Sequence, residues 1–284
     1  AAPGTGGASA PDFEAILRER HAGQRVLLAE DNPVNREVAE ELLRAAGLIV
    51  ESAWDGARAV ELALTRGYDL ALMDVQMPVM DGLEAARLIR QRSGLALPIV
   101  AMTANAFLED REACLAAGMN DHVAKPIDPA LLHTTLLRWL PLRDQPAAPE
   151  ADAPQQLAQQ TGLRERLAAV DGLDLDAALR FVAGQLPAAL RVLRRFASTY
   201  REGLPELLDS NGDEHALILR WRTVCHSIRG ALGAVGATAL LGELVTLERM
   251  LDALDSRGAI AAQGATLHEG LIALVQRLDA ALAT

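Results

Sequence analysis

Basic charge, aromatic residues and cysteine are all scarce in this sequence. Among its 284 residues, 38 acidic side chains outnumber 27 lysines and arginines, which gives a formal net charge of −11. No Lys/Arg run offsets this charge, so no nucleic-acid-binding surface is expected. The two cysteines, Cys114 and Cys225, stand apart without a CxxC spacing, which is typical of a reducing compartment. Aromatic residues make up only 3% of the chain, so aliphatic side chains must build its cores.

Long apolar runs and an N-terminal signal are missing as well. No uninterrupted apolar stretch approaches the ~20 residues that cross a bilayer, so no membrane contact is expected. The Gly/Ala-rich start lacks the basic-then-apolar layout of a secretory signal, and there is no initiator Met. We therefore expect a cytoplasmic piece of a longer protein. Its length predicts about two domains.

The first half of the chain alternates short apolar runs with amphipathic segments. This alternation, from about residue 25 to 140, predicts βαβ units and a parallel sheet. Because the runs are continuously apolar, helices are expected to cover both faces of that sheet. The predicted strands are 26–29, 48–50, 70–73, 99–102 and 122–124, and the predicted helices are 35–46, 56–65, 83–92, 108–117 and 129–139.

The second half carries a different pattern. Residues 141–160 contain four prolines with repeated Ala and Gln, which predicts a semi-extended tether that would let two domains meet within one molecule. Beyond Asp174 only helical periodicity remains, which predicts an antiparallel bundle with helices at 175–182, 187–208, 214–235, 240–254 and 259–282. The expected division is a linker with a short helix (1–24), an α/β domain (25–140), a linker and lead-in (141–173) and a four-helix bundle (174–284).

Chemically active side chains follow four of the predicted strands. Glu30 and Asp31 follow the first, Asp74 the third, Thr103 the fourth and Lys125 the fifth. The carboxyl ends of parallel strands share one sheet edge, so these side chains are expected to converge. Three carboxylates suit Mg²⁺, whereas a Lys and a Thr supply the charge and the donor that a phosphoryl group needs. Alone, each residue would be a helix cap or a turn; together they favour a site.

One helix of the second half has two distinct faces. Projected at about 100° per residue, its apolar stripe forms the core face, and His226, Arg229, Gly230 and Gly233 fall roughly 140° away. Glycine inside a helix costs about 1 kcal/mol relative to alanine, so close approach of a bulky partner is the physical reason for it. Arg229 could steady negative charge on a phosphorylated His226. The alternative is a solvated histidine beside a kink.

Motifs in the first half resemble the receiver domain of response regulators, and more narrowly the receivers of hybrid sensor histidine kinases. The segments that carry the resemblance are Glu30-Asp31-Asn32-Pro33-Val34-Asn35, Met73-Asp74-Val75-Gln76-Met77-Pro78-Val79-Met80-Asp81-Gly82, Met102-Thr103-Ala104 and Lys125-Pro126. The resemblance implies a (βα)₅ flavodoxin-like, CheY-like fold. It further implies that Asp74 accepts a phosphoryl group as an acyl phosphate.

The same resemblance implies roles for the surrounding residues. Asp31 would bind Mg²⁺ directly, Glu30 would act through water, and the backbone carbonyl of Gln76 would complete the metal site. Thr103 and Lys125 would contact phosphoryl oxygens, and the peptide bond after Lys125 would be cis. One position departs from the family pattern: His122 stands where a switch Tyr or Phe is usual.

A second resemblance covers roughly residues 174–284. The segment His226-Ser227-Ile228-Arg229-Gly230-Ala231-Leu232-Gly233-Ala234-Val235-Gly236-Ala237 resembles the signature of histidine-phosphotransfer (HPt) domains. It implies that His226 is phosphorylated, that Arg229 assists it, and that Gly230 gives a receiver access.

Together the resemblances imply the C-terminal receiver and HPt region of a bacterial hybrid sensor histidine kinase in a two-component phosphorelay. Its expected partners are an upstream histidine kinase core, expected in the same polypeptide, and the receiver of a downstream response regulator; the parent protein could be anchored in the inner membrane. No nucleotide-binding glycine-rich box is present, so ATP binding is not expected. The alternatives are a receiver that acts as a phosphate sink beside an inert dimerisation bundle, and a DNA-binding response regulator.

Overall fold

The structure, a computed structural model, describes residues 12–93, 97–103, 108–142, 157–209 and 213–283. Five parallel strands form one sheet in the order β2-β1-β3-β4-β5. This is the flavodoxin-like order, which places a switch point between β1 and β3. The expected parallel α/β fold is therefore confirmed, with strands at Arg25–Ala29 (β1), Ile49–Ala53 (β2), Leu70–Asp74 (β3), Ile99–Thr103 (β4) and Asp121–Ala124 (β5).

Six helices flank this sheet. Successive residues of β1 point to opposite faces, so that Val26 and Leu28 enter one apolar cluster and Leu27 and Ala29 the other. The first cluster is covered by α1, α2 and α6, and the second by α3, α4 and α5. The helices are Phe13–His21 (α1), Pro33–Ala45 (α2), Gly56–Thr65 (α3), Gly82–Ser93 (α4), Leu108–Ala116 (α5) and Pro129–Trp139 (α6).

Helix α1 lies in the segment expected to be a linker, but it packs on the α/β domain. Leu17 and His21 are buried, and the helix contacts α6. His21 Nδ1 lies 2.8 Å from Gln24 Oε1, and the Gln24 amide donates to the Pro141 carbonyl at 2.7 Å. This contact fastens the start of the described chain to the end of α6.

The second half is helical throughout its described residues. Four long helices, α9 to α12, form the expected bundle around Phe196, Trp221 and a set of buried leucines. Helix α7 has no counterpart among the predicted helices: it begins at Leu157, inside the segment expected to be a tether, and packs on α12 through the buried Leu167. Residues 143–156 of that segment lie outside the described residues. The bounds are Leu157–Ala168 (α7), Leu175–Arg180 (α8), Leu186–Thr199 (α9), Glu214–Ala234 (α10), Thr238–Asp252 (α11) and Arg257–Leu282 (α12).

The helix expected over 187–208 is broken in the structure. Helix α9 ends at Thr199, and a short 3₁₀ turn spans Pro205–Leu207. Gly203 between them adopts φ +68°, a left-handed conformation that ends a helix, and Pro205 has no amide proton to continue one.

The two domains lie against each other. Helix α2 of the α/β domain packs on α9 and α10 of the bundle, and one apolar cluster is continuous across this junction. No helix within the described part of the chain is long and apolar enough to cross a membrane.

Candidate functional site

Three carboxylates converge at the carboxyl edge of the sheet, as expected. Glu30 and Asp31 follow β1 and Asp74 ends β3, and each offers an oxygen within 4.8 Å of the other two. Glu30 and Asp74 are both 1% exposed. Lys125, just beyond β5, places its Nζ 2.6 Å from Glu30 Oε2 and 2.6 Å from Asp74 Oδ2. The four side chains thus form one charged cluster at the switch point of the sheet.

Burial sets the acid–base properties of this cluster. It raises the pKa of Glu30 and Asp74 above the ordinary values, although the Lys125 ammonium works in the opposite direction. Burial and the neighbouring Glu30 carboxylate raise the pKa of Asp31. Burial alone would lower the pKa of Lys125, but the two adjacent carboxylates raise it, so this lysine stays charged.

This donor set fits a hard divalent cation. Three carboxylates crowded around a single ammonium retain a net negative charge, and buried like charges of this kind are stabilised by a cation. Oxygen ligands from one or two carboxylates, with room for phosphate, are what Mg²⁺ prefers. Glu30, Asp31 and Asp74 are therefore the residues that could hold Mg²⁺ here.

The remaining predicted residues of this domain surround the cluster. Thr103 ends β4 and is buried, and its carbonyl accepts the Lys125 backbone amide at 2.7 Å. Gln76 is exposed just after β3, and its backbone amide donates to Asp74 Oδ1 at 3.2 Å. The peptide bond between Lys125 and Pro126 is cis, as the resemblance implied. His122 is half-buried on the edge strand β5, with Nδ1 3.7 Å from Asp121 Oδ1.

His226 lies on α10, on the side of the bundle that meets the α/β domain. Its Nε2 is screened from solvent and has no hydrogen-bond partner among the described residues. Burial, together with the positive charges of Lys125 and Arg229, lowers its pKa from 6.5 to about 4. The imidazole is therefore neutral at pH 7, so that one of its ring nitrogens carries a lone pair.

The two glycines one and two turns after His226 allow the α/β domain to approach α10 closely. A Cβ at Gly230 would lie 2.6 Å from Asn35 Oδ1, and one at Gly233 would lie 3.3 Å from Pro126. Gly230 and Lys125 also line the same small cavity. The close approach expected from these glycines is that of the α/β domain. Gly236, three residues after Gly233, is a glycine for a different reason: it adopts φ +71° just after the end of α10, a conformation that favours glycine.

One buried amide joins the two domains beside the site. Asn32 is 3% exposed, and its Nδ2 donates to Tyr200 Oη at 2.8 Å and to the Ser227 carbonyl at 2.7 Å. Its Oδ1 accepts the Val34 backbone amide and so caps α2. The same side chain thus fixes the start of α2, next to Asp31, to the residue that follows His226.

Arg229 is engaged within the bundle. Its Nε donates to Glu248 Oε1 of α11 at 3.1 Å, and its terminal nitrogen contacts the second oxygen. The guanidinium still lies near enough to lower the pKa of His226. To assist a phosphorylated imidazole it would have to share its donors between Glu248 and the phosphoryl group.

Four contributors to the interface were not among the predicted site residues: Asn32, Asn35, Tyr200 and Ser227. Two of them lie in the motif that begins at Glu30, and Ser227 follows His226 directly. Tyr200 directly follows the end of α9 and carries no local signal in the sequence.

Comparison with known proteins places these residues in a family context. Residues 26–137 match the family described as response regulator receiver domain. The sensor histidine kinase GacS of Pseudomonas protegens is 34% identical over 242 residues, 82% of this chain and 25% of GacS. The histidine-protein kinase BarA of Escherichia coli is 32% identical over 243 residues, 83% of this chain and 25% of BarA. The chain thus spans about a quarter of the length of these relatives.

Among solved structures, the receiver domain of sensor histidine kinase PA1611 from Pseudomonas aeruginosa is 51% identical. That structure has a magnesium ion coordinated in its active site cleft; the match covers 42% of this chain and 98% of that one, with a TM-score of 0.40. The receiver of the Saccharomyces cerevisiae regulator Ssk1, in complex with the phosphotransfer protein Ypd1, is 29% identical over 42% of this chain and 89% of that one, with a TM-score of 0.40.

Proposed function

The chain belongs, through residues 26–137, to the response regulator receiver family, and from this premise we propose that it relays a phosphoryl group from Asp74 to His226. The receiver would extend over 25–140 and the HPt domain over 174–284. An upstream histidine kinase core would supply the phosphoryl group, and the receiver of a separate response regulator would take it from His226.

In the first transfer, the Asp74 carboxylate attacks the phosphorus of a donor phosphohistidine. A P–O bond forms as the P–N bond breaks, and the donor imidazole leaves. Lys125, already in contact with Asp74, neutralises charge on the phosphoryl oxygens, and Thr103 offers a hydroxyl donor. Bound Mg²⁺, held by Glu30, Asp31, Asp74 and the Gln76 carbonyl, would supply further neutralisation of that charge.

In the second transfer, the neutral His226 imidazole attacks the acyl phosphate. A P–N bond forms as the P–O bond breaks, and the Asp74 carboxylate is regenerated. Arg229 would steady the negative charge on the phosphorylated ring. The protein's contribution is chiefly to hold the two reacting groups in one geometry.

The observation that carries this proposal is the docking of the two domains at the reacting groups. The Asn32 amide bonds the Ser227 carbonyl, and Lys125 charge reaches the His226 ring. If the bundle served only for dimerisation, nothing would require the face of α10 that carries His226, Gly230 and Gly233 to lie against the acidic cluster. This contact favours relay over the phosphate-sink alternative.

The experiment labels the full chain with radioactive acetyl phosphate and sorts the product by chemical stability. Wild type is expected to form alkali-stable, acid-labile phosphohistidine. Asp74→Asn should abolish all labelling, and His226→Gln should leave only the acyl phosphate, which alkali destroys. His215→Gln is the matched control, because His215 is exposed on the same helix. Phosphohistidine in the Asp74→Asn chain, or none in wild type, would overturn the proposal.

A further inference from the structure

Two ion pairs cross the interface between α2 and α9, away from the reacting groups. Arg191 Nε donates to Glu41 Oε1 at 2.8 Å, and its terminal nitrogen contacts the other oxygen of that carboxylate. One turn further along α9 and one turn back along α2, Arg195 Nε lies 3.6 Å from Glu37 Oε2. The two helices are thus matched charge for charge over two successive turns.

Helix α9 is locally basic in an acidic chain. It carries Arg191, Arg194 and Arg195 and no acidic residue, whereas the whole chain has a net charge of −11. The side chains of Arg191 and Arg195 are 50% and 49% exposed even with the receiver docked, so both lie at the rim of the interface. Rim charges govern the choice of partner and the rate of encounter more than the strength of packing.

The relay requires this surface to serve two receivers in turn. With its own receiver docked, the chain leaves His226 Nε2 screened from solvent. A separate receiver can therefore reach that nitrogen only by taking the place of the attached one. A separate receiver in that place would bring its own equivalent of α2 against Arg191 and Arg195.

Resting on the proposed function, we propose that Arg191 and Arg195 form a recognition surface that selects receivers with acidic side chains on two successive turns of the helix that corresponds to α2. In this chain those carboxylates are Glu37 and Glu41, six and ten residues after Asp31. The downstream regulator is thereby identified by its chemistry. It presents carboxylates at the same two positions relative to its own metal-binding acid.

The test uses full-length chains, with a second copy standing in for the separate receiver. The acceptor chain carries Asp74→Asn, with or without Arg191→Glu and Arg195→Glu. The donor chain carries His226→Gln with Glu37→Arg and Glu41→Arg, and is labelled on Asp74 with acetyl phosphate. These reversals set like charges against each other within the donor and within the charge-reversed acceptor, so that for this pair docking between chains is favoured over docking within one.

Transfer between chains is expected to be about tenfold or more faster to the charge-reversed acceptor than to the acceptor with native arginines, because like charges across an interface are strongly disfavoured. The difference should shrink at 1 M salt, where the Debye length is about 3 Å. Arg194→Glu on the acceptor is the matched control, since Arg194 lines a different surface with Ser198 and Asp279.

Equal transfer to both acceptors would overturn the inference while leaving the relay itself intact. A wild-type chain that forms no phosphohistidine would instead overturn the proposed function. Folding is checked by combining all four reversals in one otherwise native chain. That chain restores both ion pairs with opposite polarity, and we expect it to recover wild-type transfer from Asp74 to His226.

Discussion

A methyl group added at Gly230 should slow the transfer of a phosphoryl group to the bundle without lowering the stability of the bundle. In the docked arrangement, a Cβ at this position would lie 2.6 Å from Asn35 Oδ1 and 2.7 Å from its Nδ2. Favourable contacts of carbon atoms begin near 3.5 Å. The Asn35 amide is buried and donates to Glu30 Oε1 at 3.2 Å, which restrains it from moving aside. Gly230→Ala therefore opposes docking.

Two effects of opposite sign follow from this substitution. Alanine in place of a helical glycine stabilises α10 by about 1 kcal/mol when the receiver is undocked. Overpacking costs about 1–3 kcal/mol, and this cost arises only where the receiver is docked. Transfer from Asp74 to His226 should therefore slow by roughly 5- to 150-fold. Hydrogen exchange of the bundle amides should be no faster than in wild type.

The assay follows alkali-stable phosphohistidine in the full chain after brief labelling with acetyl phosphate. Gly242→Ala is the matched control, because a Cβ on this exposed glycine of α11 meets nothing within 4 Å. Adding Asn35→Ala to Gly230→Ala removes the obstructing amide and should restore most of the rate. A wild-type transfer rate in Gly230→Ala would refute the argument that Asn35 and Gly230 meet during transfer.

Two further predictions concern protons and the metal. Because burial in the docked chain, together with the charges of Lys125 and Arg229, lowers the pKa of His226 from its ordinary 6.5 to about 4, the docked state binds fewer protons at this ring than an exposed imidazole would; its contribution to stability is fully present above about pH 6.5 and is lost as pH falls towards 4. An NMR titration of the imidazole should show this low midpoint, and a midpoint near 6.5 would contradict it. Asp31→Asn should weaken Mg²⁺ binding by at least the about 10- to 100-fold typical of lost outer-shell partners. The same change should raise the melting temperature of the metal-free chain, because the raised pKa of Asp31 means that its ionised carboxylate opposes folding at pH 7. Asp176→Asn is the control, since this carboxylate is exposed, and it should change neither Mg²⁺ binding nor the melting temperature.

The sheet and the acidic cluster were predictable because both follow from local patterns. A short, continuously apolar run is stable in a parallel strand that is covered by helices on both faces. The polar residue after each such strand then lies at the shared carboxyl edge of the sheet. Asp74 and Lys125 are 51 residues apart in sequence, yet the strand order alone brings them together. Helix starts were predictable to within a few residues for a similar reason, since Pro33 and Pro129 suit a first turn.

The contacts between domains were not predictable in the same way. Gly230 signalled that something approaches α10, but a missing side chain does not identify its neighbour. Tyr200 and Asn32 are 168 residues apart and belong to different domains, so no periodicity links them. The break between α9 and the 3₁₀ turn was missed because Gly203 lies within a continuous amphipathic pattern, and only its backbone angle shows that the chain is not helical at this residue.

Docking of the attached receiver has opposite consequences for the two halves of the proposed relay. It positions Asp74 for transfer to His226, and it also covers the Nε2 atom that a separate receiver must reach. Any change that tightens the contact between α2 and α9 therefore speeds transfer from Asp74 to His226 and slows transfer from His226 to a separate receiver. Half-exposed arginines at the rim suit this requirement, because rim charges govern the choice of partner and the rate of encounter more than the strength of packing. Because both domains belong to one chain, the local concentration of the attached receiver stays high, which favours its return after each exchange.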